Sequence, residues 1–215
     1  MRHKLLNNTE IKDFLQCLKN MYPDIKCGLD YANAFELTIS LILAAQCKDE
    51  RVNLVRPILT GYYPTPKDIC DAGFQKVYNI VKSISFPNNK AKHIIACCQI
   101  LKDKYNGIIP NTMDELISLP GIGRKSANII LSECFGIVEG IAVDTHVTRI
   151  AYKLRLTNSK NVIKIEKDLM KRIPQKDWGN INHLLVAHGK AICDAKKPKC
   201  KSCQVSQYCR SCQLT

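Results

Sequence analysis

"LPGIGRKSANIILSECF", residues 119–135, sets two glycines one residue apart and follows them with two cations and an apolar, helix-like run. Upstream, Thr112 and Glu115 have the spacing of a capping box, which predicts a short helix over 112–118. Downstream, Gly136 can close a helix over 124–135. Between the two helices, Gly121 and Gly123 permit positive φ and let the backbone approach a ligand closely. Amides left free at the start of the second helix then point outward, where a phosphate oxygen is the natural partner.

This order reads as a helix–hairpin–helix over about 112–135, a device that grips the DNA backbone without reading sequence. A P-loop is excluded: it needs G-x-x-x-x-G-K-[ST] after a strand, and here position 118 is Ser and a helix precedes. A plain αα-turn, with the glycines serving packing alone, stays open from this stretch. Working outward, apolar residues recur every three or four positions, as at Phe35, Ile39, Ile42 and Leu43, and strand signals are almost absent. The expected fold is all-α, with helices at 10–20, 33–46, 49–60, 67–71, 74–84, 88–105, 112–118, 124–135, 145–155, 161–172 and 178–191. Asn88 and Asn161 read as N-caps, and no internal repeat or low-complexity linker interrupts the chain.

The chain has 215 residues, enough for one large domain or two small ones. Its formal charge of +13 points to a polyanionic partner, nucleic acid ahead of an anionic membrane surface. The start, "MRHKLLNNTE", has no signal-peptide run, and "LTISLILAA" at 37–45 is too short to span a bilayer, so the expected location is cytoplasmic and nucleoid-associated. Without an export signal, the twelve cysteines read as free thiols or metal ligands rather than a disulfide scaffold.

Four of them form a C-x6-C-x2-C-x5-C run, Cys193, Cys200, Cys203 and Cys209, within a lysine-rich loop. Structural zinc usually takes ligands as two close pairs, whereas one wrapped loop suits a wider iron–sulfur cube. Lys190, Lys196, Lys197, Lys199, Lys201 and Arg210 would form a cationic collar around it and face phosphates. Cys212 is a fifth thiol close by. Cys17, Cys27, Cys47, Cys70, Cys97, Cys98 and Cys134 read as small buried hydrophobes.

Lys125 falls in the first turn of a helix beside Arg124, where the helix dipole and the neighbouring cation both favour a neutral, nucleophilic amine. From the stretch alone it reads equally as a phosphate-binding lysine. Asp144, in "VDTHVTRI" at 143–150, is placed as an N-cap; its carboxylate could also stabilise a cationic sugar and assist proton transfer.

The hairpin "LPGIGRKSA", then "VDTHVTRI", then the cysteine run closely resemble the endonuclease III family of DNA glycosylases, and the likeness extends through "FELTISLILAAQCKD", "NNKAKHI" and "AHGKAIC". The resemblance implies a two-lobed helix–hairpin–helix glycosylase fold with a [4Fe–4S] loop, one cluster per chain. It implies a helical barrel domain at 27–137, and a second domain made of 1–26 plus 138–215 with the cluster loop at 193–209. Lys125 takes the position of the family's nucleophilic lysine and Asp144 that of its essential aspartate. Gln46 matches the residue that fills the gap left by an extruded base, and Phe86 stands where the family commonly has a leucine wedge. Leu119, Gly121, Gly123, Arg124 and Lys197 match DNA-contacting positions. The implied activity is excision of oxidised pyrimidines followed by β-elimination at the abasic site. The implied partner is double-stranded DNA with damaged bases or abasic sites, with no membrane and a monomeric chain. Adenine-excising relatives carry a glutamate where this chain has Leu41. A monofunctional glycosylase and a non-catalytic DNA-binding module are the alternatives.

Overall fold

The computed structural model describes residues 4–212. Regular structure among them is entirely helical: α1 (Asn8–Met21), α2 (Ala34–Ala44), α3 (Asp49–Tyr62), α4 (Pro66–Val81), α5 (Pro87–Tyr105), α6 (Met113–Ile117), α7 (Arg124–Phe135), α8 (Thr145–Lys153), α9 (Val162–Met170) and α10 (Trp178–Ala191). Short 3-10 turns lie at Gln175–Asp177, Cys200–Ser202 and Ser206–Tyr208. The all-α expectation holds, and no described helix is long and apolar enough to cross a membrane. The chain divides into two compact units, one from Cys27 to Ile137 and one formed by the described residues up to Lys26 and from Val138 onward.

In the first of these units α2 is buried nearly all round, with Leu37, Thr38, Ile39, Ser40 and Leu43 inaccessible to solvent. A helix without a wet face belongs at the centre of a core, and α3, α5 and α7 pack around it. Asn33 caps it by accepting from the Glu36 amide at 2.9 Å. Glu36 in turn pairs with the buried Arg56 of α3 at 2.8 Å, tying the two helices together.

Three local expectations change here. The helices expected at 67–71 and 74–84 are halves of one element, α4, bent where Gly73 adopts φ 74° and ψ 174° and ending at Val81. Asn88 does not cap α5: Pro87 fills the first helical position, as its locked φ favours, so the cap falls on Phe86. The Thr112 hydroxyl donates to Glu115 Oε2 at 2.6 Å instead of accepting from the helix amide, so α6 has no side-chain cap.

The second unit is built on α1, α8, α9 and α10. A complete capping box starts α1, with Asn7 Oδ1 accepting from the Glu10 amide at 2.9 Å and Glu10 Oε2 accepting from the Asn7 amide at 2.7 Å. Ile11, Phe14, Leu15 and Leu18, spaced to share one helical face, enter a core with Val147, Ile150, Ile181 and Leu185. Asn161 caps α9 as expected, accepting from Lys164 at 3.1 Å. The cysteine-rich tail is part of this core: Val205 and Cys209 are buried, and Tyr208 meets the Phe14 ring edge-on with centroids 6.0 Å apart.

Candidate active site and cysteine loop

The hairpin turn is held from below and open above. Leu119 and Ile122 are buried, and the Ile122 amide donates to the Leu119 carbonyl at 3.0 Å. The Leu119 side chain is an anchor in the core, so it is the backbone at this position that is left for a phosphate. Gly121 adopts φ +84°, and a Cβ there would lie 3.2 Å from both His93 Cβ of α5 and Ile42 Cγ1 of α2. Gly123 is the N-cap of α7 and supplies no side-chain acceptor, so the helix begins without a side-chain cap. Arg124 and Lys125 are both exposed at this end.

Farther along α7, Tyr31 Oη donates to Glu133 Oε2 at 2.6 Å and ties the helix to the chain before α2. Cys27 lies under the same region; burial pushes its thiol up to about 11, and the Lys125 ammonium acts on it in the opposite direction.

Asp144 is the N-cap of α8: its Oδ1 accepts from the Val147 amide at 2.8 Å, leaving Oδ2 without a role in the cap. The segment before it is fixed, since Ile141 and Ala142 are buried and Asn182 Nδ2 of α10 donates to the Ala142 carbonyl at 2.8 Å. Gln46 and Phe86, the residues expected to enter the base stack, are both exposed and both left-handed, at φ 54° and φ 55°.

In the tail, burial pushes the Cys193 and Cys203 thiols up, and the neighbouring Cys200 and Cys209 add to the effect on both. Among the described residues no three His, Cys, Asp or Glu side chains stand close enough to hold a single metal ion. Cys212 hydrogen-bonds with Cys200 and Cys209, so the fifth thiol sits on the edge of the group.

Arg149 of α8 donates to the Cys193 carbonyl at 2.8 Å. The buried His188 places Nε2 3.7 Å from Cys203 Sγ and Nδ1 3.3 Å from Tyr22 Oη, and burial holds its pKa below the ordinary imidazole value. Asp194 Oδ1 accepts from the amides of Lys196 and Lys197 at 2.8 and 2.9 Å, turning both exposed lysines outward. Arg210 departs from the expected collar. It is buried, donates to the Thr157 carbonyl at 2.7 Å and stacks 4.2 Å from the Tyr152 ring centroid, so it braces the loop and does not face phosphate.

The sequence matches the HhH-GPD superfamily of base excision DNA repair proteins over residues 39–175. The endonuclease III of Synechocystis sp. is 43% identical over 215 residues, spanning 100% of this chain and 97% of that protein. The chain belongs to the endonuclease III family. Two solved members, a non-covalent endonuclease III–DNA complex and a trapped endonuclease III–DNA covalent intermediate, each align with a TM-score of 0.92 and 39% identity. They cover 98% of this chain and 98% and 99% of their own. The superfamily match stops short of the cysteine tail, whereas the similarity to the Synechocystis endonuclease III runs through it.

Several residues of this endonuclease III family chain carry no sequence signal of their function. Tyr31, Arg149, His188 and Asp194 act through partners far away in sequence or through backbone groups, which neither periodicity nor motif spacing reports. The glycine turn, by contrast, can be tested directly. Gly121→Ala should destabilise the chain by about 1–3 kcal/mol, because a left-handed φ and two tight carbon contacts are both imposed on the new methyl. At this chain length that is a fall in Tm of about 2–4 °C per kcal/mol. Gly123→Ala, at φ −102° with open space around its Cβ, should cost less. Thermal melts that rank the two variants the other way would contradict this account of the turn.

Proposed function

We propose that this chain is a base excision repair enzyme, a DNA glycosylase that removes oxidised pyrimidines and then nicks the abasic site as an AP lyase. The observation that carries the reading is the exposed amine of Lys125 at the uncapped start of α7, just after the glycine turn. A 39%-identical endonuclease III known as a trapped covalent intermediate with DNA supports the same chemistry.

In this reading the neutral Lys125 Nζ forms a bond to C1′ of the damaged nucleotide while the C1′–N bond breaks, and the base leaves with that electron pair and a proton. Opening of the sugar ring leaves a Schiff base. Loss of a C2′ proton then expels the 3′ phosphate, and water hydrolyses the imine and restores the amine. The Asp144 carboxylate stabilises the positive charge that develops on the sugar and relays protons. The hairpin amides and Lys197 hold phosphates, and Gln46 and Phe86 enter the stack that the extruded nucleotide leaves.

Cys193, Cys200, Cys203 and Cys209 would hold a [4Fe–4S] cluster, which supplies a covalent cross-link for the tail and no reacting group. One wrapped loop with a single close pair of thiols suits a cube better than a single ion. Purified protein should be brown and carry about four irons per chain; colourless protein with a single zinc would overturn this part.

The deciding experiment is incubation with a duplex bearing an oxidised pyrimidine or an abasic site, with and without borohydride. A covalent adduct with borohydride, and a nick 3′ to the lesion without it, is the expected result. Base release with neither adduct nor nick would leave a monofunctional glycosylase, and salt-sensitive binding with no turnover would leave a DNA-binding module.

A further inference from the structure

Gln46 and Phe86 share an uncommon backbone and a common tether. Only Gln46, Phe86, Asn106 and Arg155 among the described non-glycine residues have positive φ. For such residues the left-handed region costs about 1–2 kcal/mol, so something must hold each one there. Phe86 is 59% exposed and makes no side-chain cap, and Gln46 is exposed as well, so neither tip is held by its own side chain.

The tether lies beneath both. Ser85 Oγ donates to the Gln46 carbonyl at 2.7 Å, which joins the loop after α2 to the residue beside Phe86. Lys90, 4% exposed, donates from Nζ to the Leu43 carbonyl at 2.7 Å and to Ser85 Oγ at 3.3 Å. Its own amide donates to the Phe86 carbonyl at 3.2 Å. Donors and acceptors close without conflict: the ammonium gives two bonds, and the Ser85 hydroxyl accepts one and passes its own proton to Gln46. Leu43 lies in the last turn of α2, where the carbonyls lack helical partners and the helix dipole favours a cation. One buried charge thus stops α2, polarises the Ser85 hydroxyl and reaches both stems.

We propose that Lys90 and Ser85 are positioning residues that hold the Gln46 and Phe86 tips at a preset separation, so that the two side chains enter the base stack of duplex DNA as one unit. This rests on the reading of the chain as a base-extruding glycosylase. A lysine needed only to fill the core would be replaceable by methionine, whose stem is similar and whose burial is cheaper. A lysine that sets the tips would not be.

The test compares two substrates, a paired oxidised pyrimidine within a duplex and an abasic site in single-stranded DNA, where no stack has to be opened or filled. Lys90→Met should slow single-turnover excision from the duplex by about tenfold to a hundredfold, the scale of a displaced positioning group, and leave borohydride trapping on the single strand unchanged. Ser85→Ala, which removes the bond to Gln46 and keeps the one from Lys90 to Leu43, should act in the same direction more weakly. Ser85→Thr, which retains the hydroxyl, should restore the rate. In a Gln46→Ala/Phe86→Ala background, Lys90→Met should have no further effect on the duplex. Equal losses on both substrates, or no loss on either, would overturn the clamp while the wild-type activity stands. A wild-type chain that excises nothing would instead overturn the parent reading and take the clamp with it.

Discussion

Lys125→Ala is expected to abolish the borohydride adduct and the strand nick while the protein still folds and binds duplex DNA. Alanine is the best helix former, and the position lies in the first turn of α7 with its side chain exposed, so little stability is at stake. The amides that grip phosphate belong to the backbone and remain. Removing one cation should lower the slope of log K against log salt by about one unit at most. The amine, however, has no substitute in the turn. Arg124 cannot form an imine because its guanidinium does not deprotonate. Loss of a nucleophile typically costs on the order of 10³-fold or more in rate. Persistence of a trapped adduct in the variant, mapped by peptide digestion to another lysine, would move the nucleophile away from α7. Persistence of base release without the adduct would show that water can serve as the attacking group, and the lyase step would be separable from excision.

What the sequence carried and what it did not follow a physical line. The hairpin was legible because glycine spacing, the apolar run after it and Gly136 are local signals, each set by backbone sterics within a few residues. Asp144 as an N-cap was legible for the same reason. The cysteine run was legible as a set, since four thiols in so short a polar loop have no place in a core. The errors came where a local rule met a stronger neighbour. Asn88 is a good cap residue, but Pro87 fixed the helix start two residues too early for it. Arg210 was read by charge as surface, and the ring of Tyr152 with two oxygens from residues 157 and 158 draws it inside. Lys90 is the most telling case. A lysine in "NNKAKHI" looks like one more cation in a basic helix, and only the chain reversal after α2 brings the Leu43 carbonyl to it.

The same unit that carries Asp144 also carries the cysteine loop, and α8 is the element they share. Asp144 begins the helix, Arg149 reaches from its middle to the Cys193 carbonyl, and the Arg210 amide closes on the Lys153 carbonyl at its end, 2.8 Å away. Cross-linking the loop would therefore steady the helix whose cap holds the aspartate. A cluster held by the four thiols would matter for the position of that carboxylate without reacting with anything.

Asp144→Asn separates the two roles of this residue, and it should reduce turnover by about 10²–10⁴-fold, the usual range for a group that assists proton transfer. The fold should be unaffected, because asparagine caps helices as well as aspartate does and its side-chain oxygen can still accept from the Val147 amide. Asp144→Ala removes the cap along with the charge, at about 1 kcal/mol, which is about 2–4 °C in Tm for a chain of this length. Melting curves and single-turnover rates on the two variants therefore diverge in a defined way: equal rate losses, with a lowered Tm for alanine alone. If Asp144→Asn turned over like the wild type, the carboxylate would be a cap and nothing more. If its melting point fell as far as that of the alanine variant, the charge itself would be part of what holds α8 in place, through the dipole at its N-terminus. Only the expected pattern, a slow enzyme with an intact fold, leaves the aspartate as the partner of Lys125 in the reaction.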